Sequence, residues 1–86
     1  MSLNVSVVSA QQQIWSGEAE QVIAKTTEGE IGILRGHEPL LAVLSSGVVR
    51  VTALGGEKIT VNAEEGFLSV DHDVVTIVAG KATLAP

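Results

Sequence analysis

The chain has 86 residues, with ten acidic and five basic side chains for a net charge of −5. That length makes one domain, residues 1–86. Area scaling gives it about 4,800 Å² of folded surface against about 12,900 Å² unfolded, enough for a modest core and too little for a deep cleft. It has no cysteine, so disulfide scaffolds, zinc ribbons and thiol chemistry drop out. No apolar run approaches the length of a membrane span.

The opening Met1-Ser2-Leu3-Asn4 lacks the basic flank and apolar stretch of a signal peptide. A soluble protein of a reducing compartment is expected. The alternation of Leu3, Val5 and Val7 against Asn4 and Ser6 predicts a first strand. Ser16 to Lys25 reads locally as a capped helix or a strand. So does Glu38 to Leu44, where Pro39 suits a first helical turn. Val49, Val51 and Ala53 alternate next, then Ile59, Val61 and Ala63, then Val75, Ile77 and Ala79. Turn signals separate these runs at Gly17, Gly29, Gly36, Gly47, Gly55-Gly56, Glu64-Glu65-Gly66, Asp71-His72-Asp73 and Gly80. The spacing is that of a β-sandwich or barrel. The thirteen Val, six Ile and six Thr agree, because β-branched side chains suit a pleated surface.

Chemistry is sparse. Nucleic-acid binders need basic stripes, and here Lys25, Arg35, Arg50, Lys58 and Lys81 are scattered along the chain. Trp15 and Phe67 are the only aromatics, too few for a stacking platform. Asp71-His72-Asp73 lines up three metal-ligand types, but adjacent strand residues point to opposite faces, so a solvated hairpin tip is expected. No nucleophile elbow, phosphate-binding glycine loop or paired-histidine helix is present. No catalytic residue, cofactor or metal is expected. Lys58 beside a hairpin is weakly similar to the carrier lysine of lipoyl or biotinyl domains, which gives a rival reading.

The informative stretch is Gly29-Glu30-Ile31-Gly32-Ile33-Leu34-Arg35-Gly36-His37-Glu38-Pro39-Leu40-Leu41, where glycines, aliphatics and charges alternate as at an interface loop. Together with Val7-Val8-Ser9-Ala10, Trp15-Ser16-Gly17, Gly47-Val48-Val49-Arg50-Val51 and Gly66-Phe67-Leu68-Ser69-Val70, it resembles the N-terminal β-sandwich domain of the epsilon subunit of the rotary proton-translocating ATP synthase. Arg35 stands where many members have proline. The resemblance implies an all-β, flattened ten-stranded sandwich in which both ambiguous segments are extended. It implies a non-catalytic coupling subunit of the central stalk, linking the gamma subunit to the c ring for proton-driven ATP synthesis, with the catalytic head as a further contact. Contacts with gamma carry over to Ser9, His37 and Ala42, and contacts with the c ring to Glu30, Ile31, Ile33 and Arg35. A peripheral place on the cytoplasmic face of a bacterial or plastid membrane follows, without insertion and without nucleic acid. Longer relatives continue into two C-terminal helices, to which ATP binding and inhibition belong in the family, so neither is expected of these residues. The glycines at 29, 32 and 36 are expected to serve the backbone, at least one of them at positive φ.

Overall fold

A computed structural model describes residues 2–84. The described residues form seven strands: β1 (Leu3–Ser9), β2 (Gln13–Thr26), β3 (Gly29–Leu34), β4 (Leu40–Val43), β5 (Gly47–Ala53), β6 (Lys58–Asp71) and β7 (Val74–Leu84). β1 runs parallel to β7 and antiparallel to β2, and β7, β6, β5 and β2 follow one another antiparallel. The ring therefore closes on itself. β3 extends it beside β2 and β4 beside β6, so these two carry the free edges. The body is flattened, 30 × 27 × 19 Å.

The all-β expectation holds, with seven strands in place of ten. The difference lies in β2 and β6, each 14 residues long, which pass from one layer to the other without a break. The first half of β2 pairs with β1, the second half with β3 and β5. β6 pairs first with β5 and then with β4, while β7 follows it along most of its length. Each long strand has a corner. In β2 the pairing with β5 shifts register between Ala19 and Gln21, which puts a bulge at Glu20. In β6 the bend comes at Glu65, a non-glycine residue at φ 55, opposite Gly80 of β7.

This overturns three turn assignments. Gly17, Glu64-Glu65-Gly66 and Gly80 lie inside strands. Gly66 is needed for close approach: a Cβ there would stand 1.8 Å from the Val78 carbonyl oxygen and 2.6 Å from the Ala79 Cα. Elsewhere the signals are true turns. Gly55 and Gly56 take φ 93 and 92, and the Gly56 amide donates to the Ala53 carbonyl at 3.0 Å, centring the turn on Leu54-Gly55. His72 and Asp73, at φ 49 and 63, form a two-residue hairpin turn between the paired Asp71 and Val74. Gly29 and Gly36 are at φ 118 and 85, as expected of at least one glycine in that stretch. Gly32 has neither positive φ nor a close neighbour.

Both ambiguous segments are strands. In β2 the bulge moves the inward positions from Ala19 to Val22, Ala24 and Thr26, so the first step is three residues and imitates helical spacing. In β4 the inward residues Leu40 and Ala42 alternate with Leu41 and Val43, apolar side chains left facing solvent. The core is built from the predicted alternating runs together with Val22, Ile33, Leu68 and Val70, each at most 1% exposed. Fully burying such an aliphatic is worth about 1.5–3 kcal/mol, which supplies the main driving force for closure.

Candidate partner-binding surface

The outward positions of β4, β6, β7 and β1 form one sheet face. Their register aligns Val43 with Phe67, Phe67 with Val78, and Val78 with Val8. Four apolar side chains from four neighbouring strands thus make one row. Val43 is 58% exposed and Phe67 43%, and Leu41 stands beside them at 72%. The next row, Leu41–Ser69–Thr76–Ser6, turns polar after Leu41. A contiguous apolar row across four strands is the usual mark of a protein contact, and the other exposed aliphatics, Leu34, Val48, Leu54, Val74 and Leu84, stand outside it. Reasoning from sequence missed Val8, Val43, Phe67 and Val78. The available signal was apolar residues at the solvent-side parity of otherwise alternating strands.

The residues tied to gamma by resemblance frame this row. Ser9 pairs with Ala79 at one side of it and Ala42 with Leu68 at the other, while His37 lies in the loop before β4. Ser9 itself is only 7% exposed. Its hydroxyl accepts from the Gln11 and Gln12 amides at 3.3 and 3.2 Å and donates to the Gln12 carbonyl at 3.1 Å. It shapes the β1–β2 turn. The His37 ring Nδ1 donates to the Glu38 carbonyl at 2.7 Å, and its amide donates to Leu34, closing the turn at Gly36. Ala42 is half-buried on the inner side of β4.

The four residues tied to the c ring are pulled apart. Glu30 stands exposed near the start of β3 and Arg35 in the turn just past its end, about 16 Å apart along an extended chain. Ile31 is half-buried against the core, and Ile33 is fully buried. Ile33 is therefore a core residue and leaves the surface set, because β3 alternates strictly and its parity points inward. Aspartate at position 33 would put a carboxylate into the core, at a site with no exposure. Glu30 lies 3.2 Å from the Arg50 guanidinium, in a pair exposed on both sides and worth little to stability.

One further contact sets the loop between β3 and β4. Asp73 is half-buried, and its Oδ1 accepts the Gly36 amide at 2.7 Å, while its carbonyl accepts the Asn4 amide at 2.8 Å. The hairpin expected to be merely solvated thus fastens the loop bearing Arg35 and His37 to the start of β1. His72 remains exposed, with Nδ1 2.7 Å from Asp71 Oδ1. Among the described residues no group of three His, Cys, Asp or Glu is placed to hold a metal. Lys58 opens β6 paired with Thr52 and does not sit at the tip of its turn, so the carrier-lysine reading lacks the geometry it needs.

The arrangement has known counterparts. Residues 2–85 match the family described as ATP synthase, Delta/Epsilon chain, beta-sandwich domain. The chain belongs to the ATP synthase delta/epsilon family. It is 54% identical over 82 residues to the ATP synthase epsilon chain of Micrococcus luteus, spanning 95% of this chain and 90% of that one. It is 46% identical over 85 residues to the epsilon chain of Frankia casuarinae, spanning 98% and 99%. It also superimposes on a chain of the Euglena gracilis mitochondrial ATP synthase with a TM-score of 0.90 and 27% identity, covering 96% of this chain and 53% of that one. A chain of the Tetrahymena thermophila mitochondrial enzyme shares the fold, with a TM-score of 0.78 over 95% of this chain and 66% of that one. The chain is thus a non-catalytic, epsilon-type subunit of an ATP synthase, a membrane-associated complex. No helix among the described residues is long and apolar enough to cross a membrane.

Proposed function

We propose that the domain couples the gamma subunit of the central stalk to the c ring, and that the apolar row Val43–Phe67–Val78–Val8 is its main surface for gamma. The exposed row carries this reading. The exposed Val43 and Phe67, aligned with the half-buried Val78 and Val8, have a favourable transfer energy still to be realised, at about 25 cal/mol per Å² buried. Ser9 and Ala42, tied to gamma by resemblance, are inward-facing neighbours of the row in register. Glu30, near the start of β3, and Arg35, in the turn just past its end, are the polar contacts for the ring.

The ring of strands suits a mechanical role. A closed sheet yields to torque only by breaking ladder hydrogen bonds together, whereas loops yield locally. The subunit in this reading is peripheral on the cytoplasmic face and reaches the membrane only through protein. The test is Val43→Asp with Phe67→Asp, both on the solvent side. The double variant is expected to fold normally and to lose capture by gamma at least tenfold, with loss of proton-coupled ATP synthesis after reconstitution. A folded double variant captured as well as the parent would remove the row from consideration.

A further inference from the structure

The other layer presents a different chemistry to solvent. Lys25 on β2, Arg50 on β5 and Lys58 on β6 all take outward positions, each flanked by buried strand neighbours such as Ala24, Val49 and Ile59. These are three of the five cations of the chain, scattered in sequence and gathered by the fold. Glu30 comes to the same face, as do Glu64 of β6 and Lys81 of β7, which pair in register at its far end, while Glu20 at the bulge and Glu57 in the turn stand at its rim. The face thus carries +4 − 2 = +2, and the remainder, its rim included, has one cation and eight carboxylates for 1 − 8 = −7, together the net −5.

At the centre of this face lies a groove of about 190 Å³, lined by Gln21, Ile23, Arg50, Thr52, Lys58 and Thr60. Arg50 pairs with Thr60 and Thr52 with Lys58, so the two cations sit diagonally on adjacent strands, about 7 Å apart at their Cα atoms. A guanidinium fork, an ammonium, two hydroxyls and an amide around one concavity form a donor set for a carboxylate, and Ile23 offers an apolar wall for the methylenes that carry it.

We propose that this groove docks an acidic protein segment, with one carboxylate side chain seated between Arg50 and Lys58. A membrane surface fits less well, since recruitment to anionic lipid takes clusters of about four to eight basic residues. The −7 on the rest of the molecule also opposes approach to an anionic bilayer. The inference stands on the charge and the groove alone. Within the rotor reading, it gives the second partner surface on the layer away from the apolar row.

The experiment is an NMR titration of the labelled 86-residue chain with a synthetic peptide of alternating Glu and Ala, at low and moderate salt. Shifts are expected only at the amides lining the groove. The dissociation constant is expected to rise at least tenfold between about 50 and 300 mM NaCl, because screening shortens the reach of exposed charges. Arg50→Gln with Lys58→Gln should weaken binding at least tenfold, and Glu30→Gln should tighten it by releasing Arg50. The Val43→Asp, Phe67→Asp variant should bind the peptide as the parent does, which separates failure here from failure of the rotor reading. Absent or dispersed shifts overturn the proposal. So do groove shifts that arise with phosphatidylglycerol vesicles or inorganic phosphate and not with the peptide.

Discussion

Replacing Gly66 by alanine tests the view that β6 and β7 touch backbone to backbone at their corner. The added Cβ would lie 1.8 Å from the Val78 carbonyl oxygen, whereas real Cβ contacts essentially never fall below 3.0 Å, so the strands must part by at least 3.0 − 1.8 = 1.2 Å. A ladder bond stretched by that amount from about 2.9 Å is no longer a hydrogen bond. The affected bonds join Gly66 to Ala79 and the Leu44 amide to the Gly66 carbonyl. Two or three lost bonds at about 1 kcal/mol each, with about 1–3 kcal/mol of overpacking strain, give a cost of about 3–6 kcal/mol. A domain of this size has about 4–13 kcal/mol of total stability. The melting temperature should fall by at least about 12 °C, at about 4 °C or more per kcal/mol. Thermal unfolding followed by circular dichroism measures that shift, and urea unfolding the free-energy cost. The internal control is Gly32→Ala, at an open site with no positive φ, which should stabilise by about 0.5–1 kcal/mol because glycine weakens a strand. A Gly66→Ala protein within about 1 kcal/mol of the parent would refute the close-approach reasoning.

Three further outcomes are expected. Asp73→Ala should cost about 1 kcal/mol by removing the acceptor for the Gly36 amide, and should speed hydrogen exchange at Gly36, while Asp73→Asn retains most of the protection. Ile33→Asp should leave no folded protein by circular dichroism, and Ile33→Val should cost about 0.5–1.5 kcal/mol in urea titration. Calorimetry with millimolar Mg-ATP should show no saturable binding, because the groove with two cations, about 190 Å³, is smaller than the roughly 300–1,000 Å³ of ordinary ligand sites, and the concavities of about 370 and 360 Å³ at Lys81 and Arg35 each set one cation beside a carboxylate.

The all-β class and much of the core were legible from alternation, because a buried strand face leaves a period of two whatever it packs against. Leu3–Val5–Val7, Val49–Val51–Ala53, Ile59–Val61–Ala63 and Val75–Ile77–Ala79 are all inward. The glycines at 29, 36, 55 and 56 announced turns because left-handed backbone favours residues without a Cβ. Elsewhere local pattern misled for identifiable reasons. The bulge at Glu20 turns a strand period into a helical step, and Leu41 and Val43 keep both sides of β4 apolar. Gly66 and Gly80 looked like turns because close approach and left-handed backbone call for the same residue.

The binding surfaces could not be read along the chain at all. The apolar row joins residues as distant in sequence as Val8 and Val78, and the cationic groove joins Arg50 to Lys58 across a hairpin. Each arises from register between strands, and register is set by which faces bury together. Sequence alone determined which residues alternate, where the chain can turn and which family it resembles. Only closure of the ring decided that Ile33 is core, that Asp73 holds the loop of Gly36, and that the scattered charges of the chain separate into a basic face and an acidic remainder.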